Sequence, residues 1–331
     1  MIISRTPFRI SFFGGGTDFP EWYEKNGGSV ISASIDRYCY ISCRHLPPFF
    51  EHKHRVVYSI IENTKSYHDI QHPSVKAVLS RLKQEEGVEI HYNADLPARS
   101  GLGSSSSFTV GLLHALLALR GQRIEPKQLS QEAIHIEREI IQEAVGCQDQ
   151  IAAAYGGFNN IIFQKDYDHK VTPIIVDKER LNALQDNLML YFTGFSHYAT
   201  EIESSKVKNF STKKNLLRTI YAMVGEATSI ISNPQTSLDE FGKLLDEAWQ
   251  CKKELSDKVS LPEIDHMYET AKKAGAKGGK ILGAGGGGFL LLYADSKAQI
   301  RIREELKHYI HVTFRFEHEG SQIVLYKPYG F

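Results

Sequence analysis

The chain is poor in cysteine. Cys39, Cys43, Cys147 and Cys251 are four thiols in 331 residues and form no C-x-x-C pair, which excludes a disulfide framework and fits reduced residues of a cytoplasmic protein. Excess charge is also missing. Lysine plus arginine and aspartate plus glutamate number 39 each, so no whole-molecule field gathers nucleic acid or an anionic membrane surface, and any phosphate site has to be built locally. No run approaches the ~20 apolar residues that span a bilayer, and "MIISRTPFRISFF" lacks a basic segment followed by an apolar one, so neither a membrane span nor a secretory leader is expected. The chain contains no internal repeat, no long low-complexity segment and no G-x-x-x-x-G-K-[ST] phosphate loop.

What is present divides the chain in two, as its length alone leads one to expect. The first hundred residues alternate short β-branched or aromatic runs ("RISFF", "GSVISASI", "CYISCRH", "HRVVYSII", "VEIHYNAD") with turns, the pattern of a mostly antiparallel sheet. "FTVGLLHALLALRG" and "LSQEAIHIEREIIQEAVG" carry helical spacing, and each ends at a glycine suited to a C-cap. "FNNIIFQ" and "VTPIIV" return to strand. A boundary near residue 185 gives an N-terminal unit of 1–185 and a C-terminal unit of 186–331. The second unit reads as strand "NLMLYFTG", helices from about 201 to 275 broken at "SNPQ", "KILGAGGGGFLLLYAD", a helix near 296–308 and two closing strands, an α+β order.

Three glycine-rich stretches stand out. "LPARSGLGSSSSF" places Gly101, Gly103 and Ser104 to Ser107 at the mouth of an apolar helix, where backbone N–H groups, hydroxyls and the helix dipole favour a phosphate; a serine N-cap after a flexible turn is the plainer reading. "GAGGGG", Gly283–Gly288, formally fits the dinucleotide pattern G-x-G-x-x-G. The strand-like "FLLLYAD" that follows it argues against that reading and for a turn whose glycines let another backbone or a ligand approach. "FFGGGTDF" ends on Asp18, a cap or a ligand contact.

In order and spacing, "PFRISFFGGGTD", "LPARSGLGSSSS" and "KILGAGGGGFL" resemble the three motifs of the GHMP small-molecule kinases, and the stretches look most like the D-glycero-D-manno-heptose 7-phosphate kinases within that family. The resemblance implies an α+β, two-lobed fold, with an N-terminal lobe of the ribosomal-protein-S5 type and a C-terminal ferredoxin-like lobe. It implies ATP and Mg2+ as cofactors, a small-molecule sugar phosphate as partner, phosphorylation at O1 to a 1,7-bisphosphate, and no nucleic acid or membrane partner; a homodimer is admitted. Gly101, Leu102, Gly103, Ser104, Ser105 and Ser106 are then expected to carry ATP, and Gly15, Gly16, Thr17, Asp18, Gly285 and Gly286 to meet the sugar. A fucokinase-like or galactokinase-like sugar kinase and a non-catalytic protein of the same fold are the alternatives.

Phosphoryl transfer needs a triphosphate cradle, a metal, a cation near the transferred group and a group that orients or deprotonates the attacking hydroxyl. By resemblance Asp149 in "GCQDQIAAAYGG" is the base and Arg9 the cation; their plainer roles are a helix carboxylate and a strand-surface charge. At 100° per residue along "AIHIEREIIQEAV", Glu137 falls inside the apolar arc while Glu132, Glu139 and Glu143 lie at its rim or beyond. A carboxylate aimed at the core requires a partner, and Mg2+ with Ser105 as hydroxyl neighbour is the expectation, a core arginine the alternative. An unbroken helix would hold Glu137 and Asp149 about 18 Å apart, so the chain has to turn at Gly146 for both to serve one site. Arg44, His45, Lys53 and Arg55 are candidates for holding a second phosphate of the substrate.

Overall fold

The computed structural model describes residues 1–194 and 199–329. Its larger sheet has nine strands, built on the long antiparallel pair Ile2–Phe13 and Gly28–His45. Alternation in the first strand explains its placement: Ile2, Ser4 and Thr6 are buried while Ile3 and Arg5 are partly exposed, but from Phe8 onward every residue is buried. The strand is half-covered where it starts and covered on both faces where it reaches the second lobe. Val88–Ala94 pairs with the far end of the second strand and Phe158–Phe163 with its near end, both antiparallel, while His54–Val57 runs parallel to Val88–Ala94. The apolar helix Ser104–Leu119 packs on this sheet, buried at almost every position.

The smaller sheet has the order Ile310–Val312, Leu188–Phe192, Phe289–Tyr293, Gly278–Ile281, all antiparallel. In chain order that is 4-1-3-2. Four helices, Ala199–Asn209, Lys214–Ser232, Asp239–Leu255 and Pro262–Lys273, lie between its first and second strands, and Ser296–Glu305 lies between its third and fourth, which is the ferredoxin-like βαββαβ arrangement. The chain passes from one sheet to the other after helix Lys178–Asp186. The two closing strands do not stay in the second lobe, as their sequence position implies. Phe316–Glu317 pairs with the second strand and Gln322–Tyr326 with the first, so the end of the chain completes the N-terminal sheet.

Two local expectations change. The predicted helix through "LSQEAIHIEREIIQEAVG" ends early: Pro126–His135 is α-helical, Ile136–Ile140 is a π turn, and the chain then leaves the helix with Gln142 at φ 63. Ile141 N donates to Ile136 O, one residue wider than an α turn, and the buried Glu137 lies within this bulge. Gly146 is therefore no helix cap. The helices Pro20–Asn26 and Pro73–Arg81, each opened by a proline in its first turn, lie inside the stretch that reads as all sheet.

Candidate active site

The three glycine stretches meet at one cleft of about 340 Å3 between the lobes. Two of them pack backbone on backbone. A Cβ on Gly283 would lie 2.5 Å from the Gly101 Cα, and one on Gly288 would lie 2.2 Å from the Ser100 carbonyl, so neither position admits a side chain. This is the close approach that four consecutive glycines implied. All four serines belong to the first turn of helix Ser104–Leu119, behind Gly103 at φ 75; Ser104, Ser105 and Ser106 line the cleft with the unpaired first-turn N–H groups, whereas Ser107 is buried and donates its hydroxyl to Pro7 O at 2.9 Å.

Arg9 is buried under this loop and grips Asp149 with two parallel bonds, Nε to Oδ1 at 2.8 Å and Nη2 to Oδ2 at 2.7 Å. Its Nη1 donates to the Gly101 carbonyl at 2.7 Å. One guanidinium thus ties the carboxylate of helix Gln148–Tyr155 to the loop, and it keeps N–H groups for a further acceptor. Beside the pair, Asp18 accepts from Gly16 N and from Gln148 Nε2, each at 2.9 Å. Burial pushes its carboxyl up to about 6. The turn at Gly146 exists for this group, since a Cβ there would sit 1.9 Å from Asp18 Oδ2.

Glu137 is 1% exposed and has no arginine partner among the described residues. Its Oε2 accepts from Ser106 Oγ at 2.9 Å and from Gln150 Nε2, while Oε1 is buried without a partner. Burial pushes this carboxyl up to about 7. The hydroxyl expected beside it, Ser105, is instead exposed and lines the cleft; one residue is a 100° step on the helix, and it is Ser106 that faces both Glu137 and the cleft. Among the described residues no three His, Cys, Asp or Glu side chains converge as a metal cage. One carboxylate with an orphaned oxygen beside a hydroxyl still fits Mg2+, which usually binds through one or two carboxylates and the substrate phosphates.

Other expected contacts are placed differently. Leu102 sends its side chain to the core and receives Arg9 N–H on its carbonyl. Thr17 is fully buried and its hydroxyl donates to Gly14 O and Ser29 O, so it fixes the turn that carries Gly15 and Gly16 along the cleft. Gly285 lines the cleft, but Gly286 commits its N–H to Val259 O at 2.8 Å. The basic group offered for a second phosphate lies elsewhere: Arg44 and Arg55 pair with Glu89 and His45 with Glu86, away from the cleft.

Sequence reasoning missed the lysines of the second lobe. Lys206, Lys252 and Lys280, from helices Ala199–Asn209 and Asp239–Leu255 and strand Gly278–Ile281, are each less than a tenth exposed and all line the cleft. Lys252 donates to Ile281 O at 2.7 Å and Gly283 O at 2.6 Å, and Lys280 to Phe12 O at 2.8 Å. Burial pulls both ammonium groups down, Lys280 to about 7. A signal for one of them existed: Phe241, Leu244, Leu245, Ala248, Trp249 and Leu255 form the buried stripe of their helix, and Lys252 falls on it.

Comparison with known proteins places these features. The pattern described as the GHMP kinases N terminal domain matches residues 72–157 and that of the GHMP kinases C terminal matches 230–311, together about half the chain. The D-glycero-alpha-D-manno-heptose 7-phosphate kinase of Campylobacter jejuni is 28% identical over 96% of this chain and 97% of its own length. The L-fucokinase/L-fucose-1-P guanylyltransferase of Bacteroides fragilis is 26% identical over 92% of this chain, which spans only 36% of that longer protein. Among solved structures, a D-glycero-D-manno-heptose 1-phosphate kinase from Bacteroides thetaiotaomicron has a similar fold, with a TM-score of 0.79 at 23% identity over 97% of this chain and 98% of that one.

Proposed function

Because the chain belongs to the GHMP kinases, an assignment that both matched domains support, we propose that its cleft transfers the γ-phosphoryl group of ATP to O1 of D-glycero-D-manno-heptose 7-phosphate, giving the 1,7-bisphosphate. The observation that carries the catalytic part is the Arg9–Asp149 pair directly beneath the Gly101–Ser106 loop. The acceptor identity rests on the heptose 7-phosphate kinase, which aligns over nearly the full length of both chains.

In this reading the loop N–H groups and serine hydroxyls hold the triphosphate at the helix N-terminus. Asp18 and the Gly15–Gly16 backbone take sugar hydroxyls. Asp149 orients the attacking hydroxyl and accepts its proton as the O–P bond forms, and Arg9 holds Asp149 in place while its free N–H groups face the oxygens of the transferred group. Glu137 and Ser106 are the residues that would hold Mg2+, whose contribution is to neutralise charge on the β- and γ-phosphate oxygens. Ser105, with its exposed hydroxyl, belongs to the ATP cradle.

The test is ATP consumption over heptose 7-phosphate, mannose, fucose, galactose and mevalonate, with 31P and 13C NMR to locate the new phosphate. Turnover is expected to be fastest with the heptose phosphate and to yield an anomeric phosphate. Faster turnover of fucose or galactose overturns the acceptor assignment and leaves the kinase; absence of turnover with every acceptor overturns catalysis itself.

A further inference from the structure

Buried charges in the cleft pair off unevenly. Arg9 is matched by Asp149 at 2.7 Å and Lys206 by Glu203 at 3.1 Å. Among the described residues Lys252 and Lys280 have no carboxylate in contact, and their bonds are to the backbone carbonyls of Ile281, Gly283 and Phe12. An ammonium has three N–H donors, so one on Lys252 and two on Lys280 remain for a ligand. Two desolvated cations side by side in a cleft are costly unless an anion joins them. Lys252 lies within electrostatic range of Lys206, Lys280 and Arg9 and of the acidic Glu203, and Lys280 within range of Arg9, Lys206 and Asp18.

We propose that Lys252 and Lys280, with Lys206 beside them, form a subsite for the phosphate monoester that the acceptor sugar already carries. The inference rests on the sugar-kinase reading above and adds to it the residues that select a phosphorylated acceptor. Two observations favour the acceptor's phosphate over the triphosphate of ATP. The triphosphate has its own donors on the N-terminal lobe, in the loop and the first turn of helix Ser104–Leu119, whereas the lysines come from the C-terminal lobe. Lys280 also sits by Asp18, the group placed against the sugar. A phosphate monoester near neutral pH carries close to two negative charges, and its arrival favours the charged form of both ammonium groups, which burial alone disfavours.

The experiment compares the full-length enzyme with Lys280→Gln, Lys206→Gln and Lys252→Arg, using heptose 7-phosphate and the same heptose without its phosphate. Lys252→Arg retains a cation for the Ile281 and Gly283 carbonyls, so a misplaced glycine loop does not confuse the result, and thermal melts check folding of all three. The expected result is that Lys280→Gln lowers the ratio of kcat/KM for phosphorylated over unphosphorylated heptose by about 10- to 100-fold, chiefly through KM for the sugar, as loss of a charge-assisted hydrogen bond predicts. Lys206→Gln should lower it by less. Inorganic phosphate should compete with the sugar phosphate and not with ATP. An equal fall for both sugars, or competition with ATP, overturns the subsite and assigns the lysines to the transferred phosphoryl group. If the wild-type enzyme prefers an unphosphorylated sugar, the acceptor assignment fails; phosphate inhibition that is competitive with that sugar and weakened in Lys280→Gln still supports an anion subsite, and its absence removes it.

Discussion

At the scale of single residues the two acidic groups deep in the site have different work, and each yields an expectation. Asp149 is held by two bonds from one guanidinium, so Asp149→Asn keeps the shape but removes the carboxylate proposed above as proton acceptor and half of the ion pair. A fall in kcat of at least ~100-fold with little change in ATP affinity is expected from steady-state kinetics and calorimetry. Glu137 is a case for pH. Its folded value, about 7, lies above the ordinary carboxylate range. Its contribution to stability is therefore complete below about 4.5 and is lost as pH rises through 7, a loss of roughly 3 kcal/mol without a cation. Gln cannot ionise. Without Mg2+, Glu137→Gln should melt at or above the wild-type temperature at pH 8 and lose that advantage near pH 4.5. Mg2+ with a non-hydrolysable ATP analogue should raise the wild-type melting temperature and not that of the variant. A variant that melts far below wild type at pH 8 and still responds to Mg2+ like wild type sinks the metal assignment. Glu139→Gln, in the exposed part of the same turn, should change neither reading.

At the scale of elements the site depends on two loops that touch through glycine backbones. Gly103 is left-handed, and a Cβ there would meet Arg9 Cγ at 3.3 Å and Asp149 Oδ2 at 3.5 Å rather than open space. Gly103→Val therefore strains the helix start and presses on the Arg9–Asp149 pair. Its expected signature is a loss of kcat larger than the loss of ATP affinity. Gly283→Ala acts on the other loop: its Cβ would lie 2.5 Å from Gly101 Cα, so the loops must part at the residue whose carbonyl Lys252 holds. ATP affinity should drop at least about tenfold by calorimetry in a protein that keeps its circular dichroism; unchanged affinity contradicts the idea that the second loop sets the first.

At the scale of the whole molecule the lobes share one core. Phe12 and Phe13 of the first strand meet Phe241 of the second lobe with ring centroids 5.5 and 5.1 Å apart, and Phe158 and Phe316 stack against the same cluster. The closing strands add a second tie, with Ser321 bonded to Thr6 and His114. Calorimetry should therefore show one cooperative transition, with equal calorimetric and van't Hoff enthalpies, although the sequence divides into two units. Phe241→Ala, a cavity in that shared core, should cost about 3–5 kcal/mol and lower the single transition without splitting it. Two resolved transitions contradict the shared core.

The sequence by itself determined most of the long elements and which loops are glycine-built, because these follow from local spacing, steric freedom and capping; the short helices Pro20–Asn26 and Pro73–Arg81 escaped it. The strands "NLMLYFTG" and "FLLLYAD", the left-handed Gly121 that ends helix Ser104–Leu119, and the inward Glu137 were all legible on that basis. Tertiary structure decided what those local rules do not reach. The π turn that carries Glu137 answers to partners on other elements, Ser106 and Gln150. The return of residues 316–326 to the first sheet is a pairing across some three hundred positions, with no trace in local pattern. The lysines of the cleft are the clearest case: composition balances to zero over the chain, yet folding gathers Lys206, Lys252 and Lys280 from three separate elements. A local field depends on distances through space, and only the fold sets those.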